Sequence, residues 1–197
     1  MTKKVVISLV GMIGSGKTAV LKELENRGYP TIDEGYMTSK IRFDNRLSIS
    51  KWGWVANWFN NLYDYFNDSP NCHFVFTDRS AMEASLWTQN CYPFKEPLKS
   101  SFRELENMGY KFVTICLYCD DVILEQRIDS RLKKEPSRKF FNEANKAFIN
   151  SLNESYKCNI DCWDYVIDTS DISPSKVCDM ILNAISQYVK EHERIST

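Results

Sequence analysis

A glycine-rich segment near the amino terminus carries the residues best suited to binding phosphate. It consists of Gly11, Met12, Ile13, Gly14, Ser15, Gly16, Lys17 and Thr18, a complete match to G-x-x-x-x-G-K-[S/T]. Glycines let backbone N–H groups surround phosphate oxygens, and the following helix points its positive dipole end at the same anion. We therefore expect this loop to bind ATP, Lys17 to contact the β- and γ-phosphates in catalysis, and Thr18 to bind Mg²⁺. A plain strand-to-helix turn is disfavoured, because an apolar run precedes the loop and an amphipathic one follows it.

A second candidate site follows the short apolar run at 74–77, which ends in Asp78 and Arg79. In an open α/β sheet the carboxyl ends of the strands line the ligand crevice, so both side chains should face the phosphates. Asp78 is predicted to hold Mg²⁺. Arg79 is predicted to bridge the acceptor and the transferring phosphoryl group, because its planar fork of donors suits phosphate oxygens. The alternative is a surface ion pair at the start of the next helix.

Two adjacent acids, Asp33 and Glu34, end another predicted strand. A carboxylate there would lie beside the acceptor and could take the proton of an attacking hydroxyl. Glu34 is the predicted general base and acceptor contact. The alternative is that both are solvated loop acids.

A basic run extends from 127 to 138. Arg127 and Arg131 are four positions apart and share one face of a predicted helix, and Lys133, Lys134 and Arg138 follow, with Pro136 breaking the helical pattern. Both arginines are predicted to meet the triphosphate as a lid, at about 130–139, closes and excludes water. A solvated charged face remains the alternative, above all for the lysines.

Aromatic residues are concentrated between 52 and 66, with asparagines among them. Trp54 and Trp58 are predicted to sandwich a flat base, and Asn57 to read its edge. Core packing is the competing interpretation, since aromatic residues at helical spacing usually face the core.

Strand and helix signals alternate along the chain, which favours a parallel sheet with helices on both faces. The predicted strands span 5–10, 30–33, 74–77, 112–118 and 165–168, and the predicted helices span 18–26, about 50–66, 80–90, 99–108, 121–132, 140–156 and 174–193. We expect an α/β fold with a five-stranded parallel sheet in one domain over residues 1–197, with a helical acceptor-binding insertion at about 35–70.

Composition narrows the possible partners. The chain of 197 residues is 43% hydrophobic and 26% charged with a net charge of -1, which disfavours a nucleic-acid partner and fits a small-molecule acceptor. No apolar run reaches the roughly 20 residues of a membrane span, so no membrane association and a cytoplasmic location are expected. A homodimer is compatible with the sequence.

The seven cysteines favour free thiols in a reducing compartment. Two spacings raise the question of zinc, Cys116 with Cys119 and Cys158 with Cys162. Zinc is disfavoured because Cys116 lies inside a predicted strand, whereas zinc pairs usually lie on tight turns.

Together these motifs resemble the deoxynucleoside kinase and thymidylate kinase group of P-loop kinases over nearly the whole chain. The loop Ile13–Lys17 is closer to deoxynucleoside kinases, and the Asp78-Arg79 pair and the tail Ile167-Asp168-Thr169-Ser170 are closer to thymidylate kinases. The resemblance implies a three-layer P-loop kinase fold and ATP with Mg²⁺. Two features depart from deoxynucleoside kinases. Ala84 stands where they have a sugar-binding aspartate, which makes the preceding Glu83 a candidate for acceptor binding, and no glutamine lies between Trp52 and Phe66.

The expected reaction is in-line transfer of the γ-phosphoryl group of ATP to a nucleoside or deoxynucleoside. Four alternatives stay open. The acceptor is a nucleoside monophosphate, another small metabolite, or a nucleic-acid end or modified base, which the near-zero net charge disfavours; or the protein is a slow P-loop ATPase switch without an acceptor.

Overall fold

The computed structural model describes residues 4–33, 48–87 and 92–194, which form an α/β fold around a five-stranded parallel sheet. The strands are β1 (Lys4–Gly11), β2 (Thr31–Ile32), β3 (Phe74–Asp78), β4 (Tyr110–Tyr118) and β5 (Tyr165–Asp168). The helices are α1 (Lys17–Asn26), α2 (Ser48–Asp68), α3 (Tyr92–Asn107), α4 (Asp121–Lys134), α5 (Lys146–Cys158) and α6 (Pro174–Arg194). The predicted fold class and five-stranded parallel sheet are confirmed.

Strand β1 is the centre of the sheet, whose order is β2-β3-β1-β4-β5. It pairs in parallel with β3 on one side and β4 on the other, with Leu9 opposite Asp78 and Gly11 opposite Leu117. The carboxyl ends of these three strands therefore lie side by side, where the loop after β1 begins.

Alternation along β1 divides the core between the two faces of the sheet, because successive strand residues point to opposite sides. Ile7 and Leu9 pack in a cluster with residues of α1 and α6, such as Leu24 and Ile181. Val6 packs in a second cluster with residues of α2 and α3. The helices thus cover both faces, as the alternation of strand and helix signals predicted.

The helix predicted after Asp78 and Arg79 differs in type from the one observed. The predicted helix at 80–90 is a 3₁₀ helix over Ala81–Ser85 in its described part. Ser80 and Glu83 cap its start through side-chain bonds to the backbone, and the Ser85 hydroxyl donates to the carbonyl of Met82 at 2.7 Å. Such local bonds compete with a regular α-helix.

Two helix starts also differ from the prediction. α3 begins at Tyr92 rather than 99 and contains Pro97, because burial of Phe94 and Leu98 against the core outweighs the bond that the proline removes. α5 begins at Lys146 rather than 140 and follows a 3₁₀ helix over Pro136–Phe141.

Within the described ranges, no helix is long and apolar enough to cross a bilayer.

The close approach of the Gly11 and Leu117 backbones at the end of β1 predicts how substitutions of two glycines change stability. A Cβ on Gly11 would lie 2.4 Å from the carbonyl oxygen of Leu117, whereas a Cβ on Gly28 would meet nothing within 4 Å; their φ angles are +131° and +83°. Gly28→Ala should lower the free energy of unfolding by about 1–2 kcal/mol, the usual cost of a left-handed residue. Gly11→Ala adds a clash between backbone atoms and should cost about 3 kcal/mol or more.

Chemical denaturation of the ligand-free proteins measures both changes, and Gly28→Ala serves as the control for φ alone. Equal stability of the two variants would contradict the close approach of β1 to β4 at Gly11.

Candidate active site

The phosphate-binding loop joins β1 to α1, and the Lys17 side chain folds back over it. Lys17 is only 6% exposed, and its ammonium donates to the carbonyl oxygens of Gly11 and Met12, both at 2.8 Å. Helix α4 packs against the loop, because a Cβ on Gly14 would lie 3.1 Å from the Ile128 side chain. The charge predicted to contact phosphate therefore lies at the loop, against which α4 packs.

Thr18 and Asp78 lie together at the carboxyl ends of β1 and β3. The Thr18 hydroxyl donates to Asp78 Oδ2 at 3.3 Å. Asp78 is 4% exposed, and its Oδ1 is buried without a hydrogen-bond partner among the described residues. A hydroxyl beside a carboxylate with an unused oxygen fits Mg²⁺, which proteins commonly bind through one or two carboxylates together with substrate phosphates.

Opposing effects act on the Asp78 carboxyl. Burial raises its pKa, and the positive charges of Lys17 and Arg79 act against that increase, while Glu83 and Asp33 add to it. The net direction is upward, because removing a carboxylate from water disfavours its ionised form. A bound cation would favour the ionised form and oppose that rise.

The backbone of Arg79 adopts the left-handed region, with φ 69°. Hydrogen bonds from its N–H and to its carbonyl hold it there. Its N–H donates to the Leu9 carbonyl at 2.9 Å. Its own carbonyl accepts from the Trp58 indole at 3.1 Å and from the Thr77 hydroxyl at 2.8 Å. Positive φ is uncommon for a side chain of this size, and such strain persists where surrounding contacts hold it.

The Arg79 side chain is equally constrained. Its Nη1 lies 3.2 Å from Glu83 Oε1 and 3.5 Å from the Tyr156 hydroxyl. The guanidinium carbon lies 5.1 Å from the centroid of a Trp87 ring. The group is therefore fixed by charge, hydrogen bonding and ring contact beside the phosphate-binding loop.

Glu83, which was predicted to bind the acceptor, has protein groups as its partners. It is fully buried, and its oxygens accept from the backbone N–H groups of Gly11 and Ser80 as well as from Arg79 and Tyr156. The spacing of Ser80 and Glu83 is that of a capping box, which places the carboxylate under the strand end instead of in the crevice.

Two of the aromatic candidates are core residues. Trp54 is 3% exposed with its ring centroid 4.7 Å from that of Trp87, and Trp58 is 5% exposed against Phe102 at 5.9 Å. Both rings lie in the apolar cluster between the sheet, α2 and α3, which favours the core-packing interpretation. Contact of these rings with a base stays a prediction that no observation supports. Asn57, on the same helix, is half-buried.

Arg127 and Arg131 share the α4 face that borders an open groove of about 430 Å³. Their guanidinium groups nevertheless have different partners. Arg127 donates to the carbonyls of Thr169 and Ser170 at 2.7 and 3.1 Å, and Arg131 donates to Glu143 at 2.6 Å. Glu143 therefore neutralises Arg131 in this arrangement, whereas Arg127 is held by backbone carbonyls. Joint contact of the two arginines with a triphosphate stays a prediction.

Glu34 lies outside the described residues, and Asp33, which follows β2 directly, is exposed. Cys116 and Cys119 are buried, whereas Cys158 and Cys162 are exposed. The described residues contain no group of three or more His, Cys, Asp or Glu side chains that could hold a metal ion.

Sequence reasoning missed Tyr156, Trp87 and Glu143 as parts of the site. Tyr156 falls at an apolar position of α5, which indicates core packing, and nothing local marks its hydroxyl as a partner of Glu83. The capping-box spacing at Ser80 and Glu83 was the one available signal that Glu83 faces the backbone.

The comparisons with known proteins agree with this architecture. A family profile described as "AAA domain" matches residues 7–149, more than half of the chain. The chain belongs to this AAA domain family. A search of curated proteins finds no match.

Solved structures similar to this AAA domain chain are kinases of several kinds. Deoxyadenosine kinase from M. mycoides with bound dCTP has a TM-score of 0.60 at 15% identity, over 92% of this chain and 99% of that one. Shikimate kinase from Acinetobacter baumannii in complex with shikimate has a TM-score of 0.56 at 16% identity, over 95% of both chains. A gluconokinase from Sinorhizobium meliloti 1021 has a TM-score of 0.54 at 15% identity, over 100% and 98%. Identities this low show a shared fold.

The raised pKa of Asp78 predicts that its charge destabilises the ligand-free AAA domain. The pKa of Asp78 is higher in the folded state than in the unfolded state. Its contribution to the free energy of unfolding is therefore greatest below the unfolded-state pKa, and it decreases as pH rises from the unfolded-state pKa through the folded-state pKa. Asp78→Asn cannot ionise, so it should melt higher than the wild type at pH 8 in EDTA. This advantage should disappear as pH falls below the ordinary aspartate range.

Asp168→Asn is the matched control with the opposite sign. Hydrogen bonds from Ser170 lower the pKa of Asp168. Its carboxylate therefore stabilises the fold above the ordinary pKa, and this contribution decreases as pH falls through the lowered value. Thermal melts from pH 3 to 8 test both variants. An Asp78→Asn variant less stable than the wild type at pH 8 would refute the assignment of Asp78 as a destabilising buried charge.

Proposed function

We propose that this protein is a P-loop phosphotransferase that moves the γ-phosphoryl group of ATP to a small acceptor, with a nucleoside or deoxynucleoside as the favoured acceptor. The observation that carries the proposal is the convergence of Lys17, Thr18 and Asp78 at the ends of β1 and β3. There a buried cation, a hydroxyl and a carboxylate with an unused oxygen share one edge of the sheet.

Phosphoryl transfer needs little covalent chemistry from a protein, so positioning and charge stabilisation are the main contributions. In the proposed mechanism Lys17 exchanges its two loop carbonyls for phosphate oxygens, and loop N–H groups bind the same phosphates. Thr18 and Asp78 would hold Mg²⁺, which when bound neutralises charge on the β- and γ-phosphates. A phosphate chain in the loop would lie between the end of β3 and the face of α4 that carries Leu124 and Ile128.

Arg79 is proposed to stabilise charge on the transferring group from the acceptor side. Its location at the strand end beside the loop, and its fixed guanidinium, support this role, since a preorganised charge needs no reorganisation during reaction. Arg127 is proposed to position the nucleotide from its contacts with Thr169 and Ser170. Arg131 belongs to the proposed lid and would have to leave Glu143 to reach phosphate.

The preference for a nucleoside rests on the resemblance of the loop Ile13–Lys17 and on Glu34 as a base, with Asn57 as a candidate contact. A nucleoside monophosphate is the second candidate, favoured by the Asp78-Arg79 pair and by the tail through Ser170. The structural similarity to deoxyadenosine kinase is compatible with a nucleoside acceptor. The similarities to shikimate kinase and gluconokinase keep other small metabolites as alternative acceptors.

Lys17→Ala should reduce phosphoryl transfer about a hundredfold or more, because it removes a charge aimed at the developing charge on the phosphates. The measurement is coupled ADP release over a panel of nucleosides, monophosphates and small metabolites. Lys22→Ala, on the exposed face of the same helix, is the control and should keep wild-type turnover. Acceptor-independent turnover would favour an ATPase switch, and a folded Lys17→Ala variant with unchanged turnover would refute the P-loop assignment.

Glu34→Gln should separate the two acceptor classes. A neutral hydroxyl must lose its proton during attack, so with a nucleoside kcat should fall by about a hundredfold or more. A monophosphate oxygen is already a nucleophile, so with that acceptor the same change should act mainly on the acceptor KM.

Asp33→Asn is the matched control, because it removes the neighbouring carboxylate and keeps Glu34. If Glu34→Gln leaves kcat within about threefold for the best nucleoside, a change far below that of a lost general base, the general-base role is excluded. A monophosphate would then become the better candidate.

A further inference from the structure

A hydrogen-bond network centred on two fully buried side chains, Glu83 and Tyr156, joins the phosphate-binding loop, the Arg79 turn and α5. Its centre is Glu83 Oε1, which accepts from the N–H of Gly11 at 3.3 Å, from Arg79 Nη1 at 3.2 Å and from the Tyr156 hydroxyl. The other oxygen, Oε2, accepts from the N–H of Ser80 at 3.0 Å. One carboxylate therefore contacts the first residue of the loop and the arginine at the end of β3.

Tyr156 brings a distant part of the chain into this network. It is fully buried on α5, and 73 positions separate it from Glu83. Its oxygen also accepts from the Trp87 indole at 3.2 Å and lies 3.5 Å from Arg79 Nη1. Burial raises the pKa of Tyr156 well above its ordinary value, so the hydroxyl remains a donor to Glu83.

The capping of the 3₁₀ helix does not account for this arrangement. That cap uses Ser80 and Glu83 Oε2, whereas Oε1 serves the loop, Arg79 and α5. A buried ion pair is also a weak source of stability, because the desolvation of its charges offsets their attraction. Its location between two parts of the candidate active site points to a role in their relative position.

We propose that Tyr156 and Glu83 are positioning residues that hold the Arg79 guanidinium and the Gly11 end of the phosphate-binding loop in their relative places for phosphoryl transfer. This inference rests on the proposed function. α5 follows the proposed lid segment, so the Tyr156 hydroxyl also ties the helix after the lid to the group expected on the acceptor side. Loss of that hydroxyl leaves Glu83 with one donor fewer and Arg79 with one contact fewer.

The kinetic test uses Tyr156→Phe, which keeps the ring and removes the hydroxyl, Glu83→Gln, and the double variant. Because Arg79 is proposed to act during transfer, Tyr156→Phe should lower kcat about tenfold, while the KM for ATP should change less than about threefold. The double variant should lose no more than about threefold beyond the worse single variant, since residues that act as a unit are not additive. Full additivity, or a change in the KM for ATP alone, overturns the proposal.

Tyr110→Phe is the matched control. Tyr110 is 5% exposed, begins β4 at the opposite end of the sheet from the site, and accepts from the Lys4 ammonium at 3.4 Å. The Tyr110→Phe variant should keep the wild-type kcat, even if its melting temperature falls as much as that of the Tyr156→Phe variant. Equal losses of kcat in the two variants would mean a general stability effect and would overturn the proposal.

Hydrogen exchange of the same variants gives a readout without any acceptor. Tyr156→Phe should increase amide exchange in peptides containing Gly11 and Ser80, and Tyr110→Phe should leave these peptides unchanged. Increased exchange confined to α5 overturns the positioning role. If the wild type has no acceptor-dependent turnover, the proposed function fails and with it the kinetic role, while exchange at Gly11 and Ser80 separately supports or overturns the physical link.

Discussion

The parallel pairing of β1 with both β3 and β4 is the constraint on which the site depends. It places Leu9 opposite Asp78 and Gly11 opposite Leu117, so the loop after β1 begins beside the acid at the end of β3. A shift of register would separate the Thr18 hydroxyl from the Asp78 carboxylate. The contact of Gly11 with the Leu117 backbone leaves no room for a side chain at this point, so the strand ends and the loop starts from a fixed position.

Buried charges of alternating sign surround this edge. Lys17, Asp78, Arg79 and Glu83 are all largely removed from water, and each would be costly alone. Lys17 and Arg79 offset the repulsion that Glu83 adds at Asp78, although burial still raises the Asp78 pKa. Such an arrangement fits a site that binds a polyanion and a cation together, since both change the local balance of charge.

The aromatic residues serve the scaffold more than the crevice. Trp54 and Trp58 fill the cluster between the sheet, α2 and α3, and the Trp58 indole also fixes the carbonyl of Arg79. Their packing therefore acts on the site indirectly, through the backbone of a strained arginine. Trp87 lies outside the aromatic stretch at 52–66. Its ring lies near the Arg79 guanidinium, so it contacts a proposed functional side chain directly.

Local patterns in the sequence determined the phosphate-binding loop, the strand that precedes it and the acid–arginine pair at the end of β3. These depend on short spacings, such as the glycines before Lys17, and on apolar runs whose length identifies buried strands. Only the tertiary structure decided that α3 continues through Pro97, that Trp54 and Trp58 are buried, and that Glu143 neutralises Arg131. It also decided that Glu83 meets Tyr156, because a contact across 73 positions arises from the packing of α5 against the phosphate-binding loop and α4 and leaves no periodic signal.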